Sequence, residues 1–176
     1  MTKPHVTLTG LIAVMIVSSI AAESAVTYRQ TKTREQQLIG TWILVSLYNV
    51  REDGSRFSPV GSNPKGILIY DATGRMSVQI MGSERIRFAA GNFREGTAEE
   101  NEAAVHGTIS YFGTYTIDEA SHTVTHHIES SLFPNWDGTD QRRTYTLVGD
   151  ELKLTTPPVA FPGGSSVGHL VWKRAK

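Results

Sequence analysis

Between Tyr111 and Arg143 the chain gathers the side chains that could do chemistry: Tyr111, Tyr115, His126, His127, Glu129, Trp136, Gln141 and Arg143. A histidine carries protons near neutral pH, and a guanidinium beside it can hold an enolate or a carboxylate. His126 and Arg143, flanked by Tyr111 and Tyr115, therefore form a candidate acid–base group, suited to isomerisation, cyclisation or hydration of a small molecule. The same residue types also build a satisfied polar network that orients a ligand without turning it over. Buried networks perturb titration without catalysis, and we favour this ligand-orienting reading. His127 and Glu129 are metal-ligand types. However, the adjacent His126 and His127 point to opposite faces of a strand, and His127 with Glu129 lacks a third ligand. We expect neither a metal nor a cofactor.

These residues need strands to place them. Ser110–Asp118 and His122–Ser131 read as two β-runs about the polar turn Glu119–Ser121. A loop, Leu132–Gly138, carries Phe133, Pro134, Asn135 and Trp136. Gln141–Val148 then pairs with Glu151–Thr156 across Gly149 and Asp150. Alternation along a strand fixes the faces. Burying Leu147, Leu152 and Leu154 brings Tyr145, Arg143 and Gln141 inside. Burying Ile117 and Val124 brings in Tyr115, Gly113 and Tyr111, with His126 and Ile128. Thr114, Thr116, Thr125 and His127 face outward, with Glu129 beyond. The predicted interior is apolar at one end and polar-aromatic at the other, as in a pocket with an apolar floor and a few orienting groups. Arg143 needs a partner or water there, because an unpaired buried charge is costly. Phe133 and Trp136 either gate the open end or anchor their own loop.

The rest of the chain supplies walls. Leu38–Tyr48 reads as a first strand and Arg51–Lys65 as a long loop. Gly66–Tyr70 and Arg75–Met81 form a hairpin about Asp71–Gly74. We assign Ile67, Ile69, Met76, Val78 and Ile80 to its apolar face, and Leu68, Tyr70, Ser77, Gln79 and Met81 to the other. Thr97-Ala98-Glu99-Glu100 has capping-box order, which predicts a helix over 98–106 stopped at Gly107. Pro157–Ser166 reads as a loop and Val167–Lys173 as a last strand. Eight or so strands with tight turns and one short helix predict an all-β protein. The expected form is an antiparallel up-and-down β-barrel large enough for one small ligand.

Residues 1–25 have the order of a secretory signal: Lys3 and His5, an apolar run Leu8–Ile20, then small residues to Ala25. The run is shorter than the roughly 20 residues that span a bilayer. We expect a cleaved signal, a linker or short helix over 26–37, and a barrel domain over 38–174. The mature protein would then be periplasmic or secreted, with no membrane span. There are no cysteines, so neither disulfides nor a lipid-modified cysteine occurs. Lys plus Arg and Asp plus Glu are 17 each, which argues against nucleic-acid partners. No nucleophile elbow of Gly-x-Ser-x-Gly type and no strand-to-helix phosphate loop is present.

Gly40-Thr41-Trp42 resembles the lipocalin Gly-x-Trp signature, and Trp172-Lys173-Arg174 resembles the lipocalin closing strand, whose arginine packs over that tryptophan. Four segments, LIGTWILVS, GILIYDATGRMSVQIM, YFGTYTIDEASHTVTHHIESSLFPNWDGTDQRR and LTTPP, are similar to the bacterial and fungal lipocalin-like domain family, over about Leu38 to Arg174. The resemblance implies a small antiparallel barrel holding a small, largely apolar molecule, and it transfers no catalytic residues. The expectation is an exported protein that binds a small hydrophobic or amphipathic molecule. Tyr111, Tyr115, His126, Gln141 and Arg143 would line the polar end, with Phe133 and Trp136 at the mouth. Gly40, Trp42 and Arg174 would close the far end. The alternative is an enzyme using His126 and Arg143 in the same pocket, and a third reading is a barrel filled by its own side chains.

Overall fold

The computed structural model describes residues 33–161 and 163–176, so the expected signal over 1–25 and most of the linker lie outside the described residues. Thr33 caps a short helix α1 (Arg34–Leu38) in a capping box with Gln36. The Glu119 carboxylate accepts from the Arg34 and Glu35 amides at 2.9 and 3.3 Å, an acid placed at a helix start. Leu38, expected in the first strand, instead ends this helix and is fully buried.

Strands β1 (Gly40–Arg51), β2 (Arg56–Phe57), β3 (Lys65–Tyr70) and β4 (Arg75–Met81) follow. Next come helix α2 (Ala98–His106) and strands β5 (Thr108–Asp118) and β6 (Thr123–Ser131). A 3₁₀ turn over Pro134–Trp136 leads to β7 (Asp140–Val148), β8 (Glu151–Thr155), β9 (Val159–Phe161) and β10 (Gly164–Arg174). The pairing order β1-β3-β4-β5-β6-β7-β8-β10 is antiparallel throughout, and β10 pairs back onto β1, which closes an eight-stranded barrel. The extra strands β2 and β9 extend β1 and β10, and their Phe57 and Phe161 rings meet at 4.8 Å. The segment expected as a loop over 157–166 thus contains a short strand and the start of β10.

Two bulges set which side chains enter. In β1 the pairing with β10 slips between Leu44 and Ser46. Inward positions change from Trp42 and Leu44 to Leu47 and Asn49, because one extra residue inverts the alternation. In β6 the pairing skips Glu129, so Gly113 faces Ile128 and Phe112 faces Ser130. Gly113 must be glycine there: a Cβ would lie 2.0 Å from the His127 carbonyl oxygen.

The β3–β4 hairpin corrects the predicted faces. Asp71 N–H bonds the Arg75 carbonyl at 2.8 Å, leaving a three-residue turn with Gly74 at φ 84°. That turn pairs Tyr70 with Met76 and Leu68 with Val78. Leu68 and Tyr70 therefore join Met76, Val78 and Ile80 in the core, while Ile69 is 38% exposed outside. A four-residue turn, assumed from Asp71–Gly74, would have inverted this parity. Helix α2 matches its predicted bounds, with Thr97 and Glu100 in the capping box.

The α1 end of the barrel is shut. The Arg174 guanidinium lies 4.1 Å from the Trp42 ring centre and donates to the Ile39 and Gln37 carbonyls at 3.0 and 2.5 Å. Trp42 Nε1 donates to the Leu38 carbonyl at 2.8 Å. Gly40 leaves room for this arginine, since a Cβ would stand 2.8 Å from its terminal nitrogen.

Candidate functional site

Above that plug the barrel is hollow. A cavity of about 490 Å³ lies among its walls, within the range of small-molecule sites, roughly 300–1,000 Å³. Leu47, Val78, Ile80, Leu154, Leu170 and Trp172 make its apolar surface. Tyr111, His126, Gln141 and Arg143 form a polar wall, brought together because β5, β6 and β7 are consecutive neighbours with these positions turned inward. Phe133 and Trp136 stand at the rim, where Trp136 meets both Phe133 and Tyr111 edge-on at 5.8 and 5.9 Å. A second cavity, between α2 and this rim, shares Pro59, Ile109, Phe133, Trp136 and Phe161 with the first. Those residues separate an inner chamber from a vestibule.

His126 is the centre of the polar wall and only 1% exposed. The Tyr70 hydroxyl lies 2.6 Å from its Nε2 and the Tyr111 hydroxyl 3.0 Å from its Nδ1. Burial, then the Arg143 charge, then His127 hold its proton affinity well below the ordinary range, so the ring is neutral. Burial likewise pushes Tyr70 and Tyr111 upward and keeps both protonated, although Arg143 pulls the other way on each. With both ring nitrogens engaged by tyrosines, His126 has none free to exchange a proton with a ligand.

Arg143 is 8% exposed. Its guanidinium donates to the Arg142 carbonyl at 2.9 Å and reaches Gln141 Oε1 at 3.4 Å. Among the described residues no carboxylate lies within ion-pair distance of it. A permanent positive charge is thus held against an apolar chamber without an anionic partner.

The sequence-derived residues divide clearly. Tyr111, His126, Gln141, Arg143, Phe133 and Trp136 share the cavity. Tyr115 does not line it; its ring packs against Tyr70 at 4.6 Å and its hydroxyl donates to the Asp71 carbonyl. Tyr70, which completes the histidine's partners, was missed because the hairpin turn was counted one residue too long. Asn49 was also missed: the β1 bulge turns it into the cavity, where it donates to Ser166 at 3.0 Å. His127 lies outside, 2.6 Å from Asp140 and 3.0 Å from the Thr116 hydroxyl. Glu129 takes both terminal nitrogens of Arg75 at 2.7 and 2.9 Å. Among the described residues no group of three or more His, Asp or Glu side chains could hold a metal ion, and no helix is long and apolar enough to cross a membrane.

Comparison with known proteins agrees with this architecture. A family model described as a lipocalin-like domain matches residues 39–175. A protein of Aspergillus oryzae (strain ATCC 42149 / RIB 40), named 4'-hydroxy-3'-methoxypropiophenone carrier protein ppsC, is 32% identical over 106 residues. The match covers 56% of this chain and 96% of that protein.

Proposed function

The chain belongs to the lipocalin-like domain family, and from that premise we propose that it is an exported carrier of a small hydrophobic or amphipathic molecule held inside the barrel. The observation that carries the proposal is the hollow, mostly apolar chamber of about 490 Å³ with one polar wall. A barrel meant only to be stable would fill that space, since voids forgo packing contacts. The relative's name, a carrier of an aryl ketone, supports a small aromatic-sized occupant. Binding rather than turnover is the reading because both nitrogens of His126 are engaged by tyrosines. Export rests on the signal-like order of residues 1–25.

Native mass spectrometry of the protein isolated from its own envelope or medium, followed by denaturing extraction, tests the proposal. A stoichiometric small molecule is expected, on a chain that begins shortly after Ala21, Ser24 or Ala25. An empty protein that also takes up no fluorescent apolar probe would overturn the carrier reading. A full-length N-terminus found in the cytosol would overturn export alone.

A further inference from the structure

We infer that the chamber takes its occupant as an anion, the conjugate base of an acidic phenol or an aryl carboxylic acid, with Arg143 as counter-charge and Tyr111 as hydrogen-bond donor. This rests on the ligand-binding reading above and adds the charge state and polarity of the bound group.

The argument begins with hydrogen atoms. A neutral imidazole carries one N–H and one acceptor nitrogen. Tyr70 is 1% exposed and its hydroxyl has no partner among the described residues except His126. If Nε2 carried the hydrogen, the Tyr70 proton would be stranded in the core, at a cost of about 1–3 kcal/mol. Tyr70 therefore donates to Nε2, and Nδ1–H donates to the Tyr111 oxygen at 3.0 Å. That oxygen also has the Arg143 guanidinium beside it. The proton on Tyr111 then has no acceptor among the described residues and is free to meet a ligand.

Gln141 completes the pattern. Its Oε1 is taken by Arg143, which leaves its amide N–H groups. The β5–β7 wall therefore offers donors, Tyr111 O–H, Arg143 N–H and Gln141 N–H, while the acceptor Asn49 Oδ1 lines the chamber from β1. The groups facing Arg143 from β3, β5 and β6 are Tyr70, Tyr111 and His126, all neutral, and among the described residues no carboxylate pairs with it. A protonated amine would bring donors and a second positive charge to these donors, and an alcohol would bring lone pairs but no charge. An ionised oxygen brings lone pairs and the missing negative charge. The rings of Trp136 and Trp172 and the aliphatic lining suit a flat aromatic body behind it.

On binding, the ligand's O–H bond breaks and its proton passes to solvent, because His126 cannot hold it. Arg143 favours the ionised acid while burial opposes it, as burial does for Tyr111, so the chamber selects acids that already ionise near neutral pH and should bind their anions in preference to the neutral forms.

The test uses 4-nitrophenol, whose phenolate is coloured, with 4-nitrobenzoate and the neutral 4-nitroanisole. Below the phenol's own pKa, adding protein should raise the phenolate band, and 4-nitroanisole should bind at least about tenfold more weakly. Arg143→Leu should abolish the band yet still bind 4-nitroanisole, which shows that the variant is folded. Tyr111→Phe should weaken both anions several-fold, and more than it weakens the anisole. Whichever of 4-nitrophenolate and 4-nitrobenzoate binds tighter names the acid class. Uptake of 4-nitrophenol as the neutral phenol, or equal affinity for the anisole, overturns the anion inference while leaving a binding barrel. Binding of none of the probes overturns the carrier reading with it.

Discussion

Acid should weaken the ligand-free barrel well before its carboxylates titrate, with His126 as the cause. Burial, Arg143 and His127 depress its proton affinity in the folded chain below the ordinary 6.5. The unfolded chain therefore binds a proton that the folded chain refuses. The contribution is fully present above pH 6.5 and is lost as pH falls below it. A proton that the folded chain refuses outright would cost at most roughly 1 kcal/mol between pH 7.5 and 5.5. That is a sizeable share of a typical 5–15 kcal/mol total. The assay is urea unfolding of the wild type and His126→Gln at pH 7.5, 6.5 and 5.5, at constant ionic strength. Glutamine offers one donor and one acceptor group to the tyrosines but does not titrate. The wild-type curve should fall by up to roughly 1 kcal/mol relative to the variant. Asp71, Asp118 and Glu100, held low by their hydroxyl and amide donors, act in a lower window, below their ordinary 3.8 and 4.5. Parallel curves for the two proteins would refute a neutral, proton-refusing His126.

Other outcomes follow from single contacts. Gly113→Val drives a side chain into the His127 carbonyl and should cost more than about 4 kcal/mol, read as loss of soluble protein or a collapsed Tm. Arg174→Ala removes the Trp42 stacking and two carbonyl bonds. It should cost about 1–3 kcal/mol with unchanged probe affinity, because the plug lies outside the chamber. Arg143→Leu should stabilise the empty protein by on the order of 1–2 kcal/mol, since it removes an unpaired buried charge; unfolding in urea reads this directly. Trp136→Ala opens the partition between chamber and vestibule and should speed ligand release about tenfold, measured by stopped-flow displacement.

Much of this was legible along the chain. Alternation placed Tyr111, His126 and Arg143 inside, because a strand's period of two leaves each residue only two faces. The Thr97–Glu100 capping box marked α2, since a helix start has free amides that only certain side chains satisfy. The pairings of β5 with β6 and of β7 with β8 followed from their short turns.

Tertiary structure decided what depends on counting across strands. One residue in the β3–β4 turn determined whether Tyr70 or Ile69 entered the core, and so whether His126 had a second tyrosine. One extra residue in β1 turned Asn49 into the cavity, which no local preference signals. Tyr115 shares Tyr111's face, yet it sits lower in the barrel, behind Tyr70, because depth along the axis depends on how neighbouring strands are staggered. Local chemistry thus determined the strands, the capped helix and the inward faces. Closure of β10 onto β1, the bulges and the resulting stagger decided that Arg143 borders an apolar chamber with no carboxylate of the described residues beside it. Those are properties of the paired sheet, and no single segment contains them.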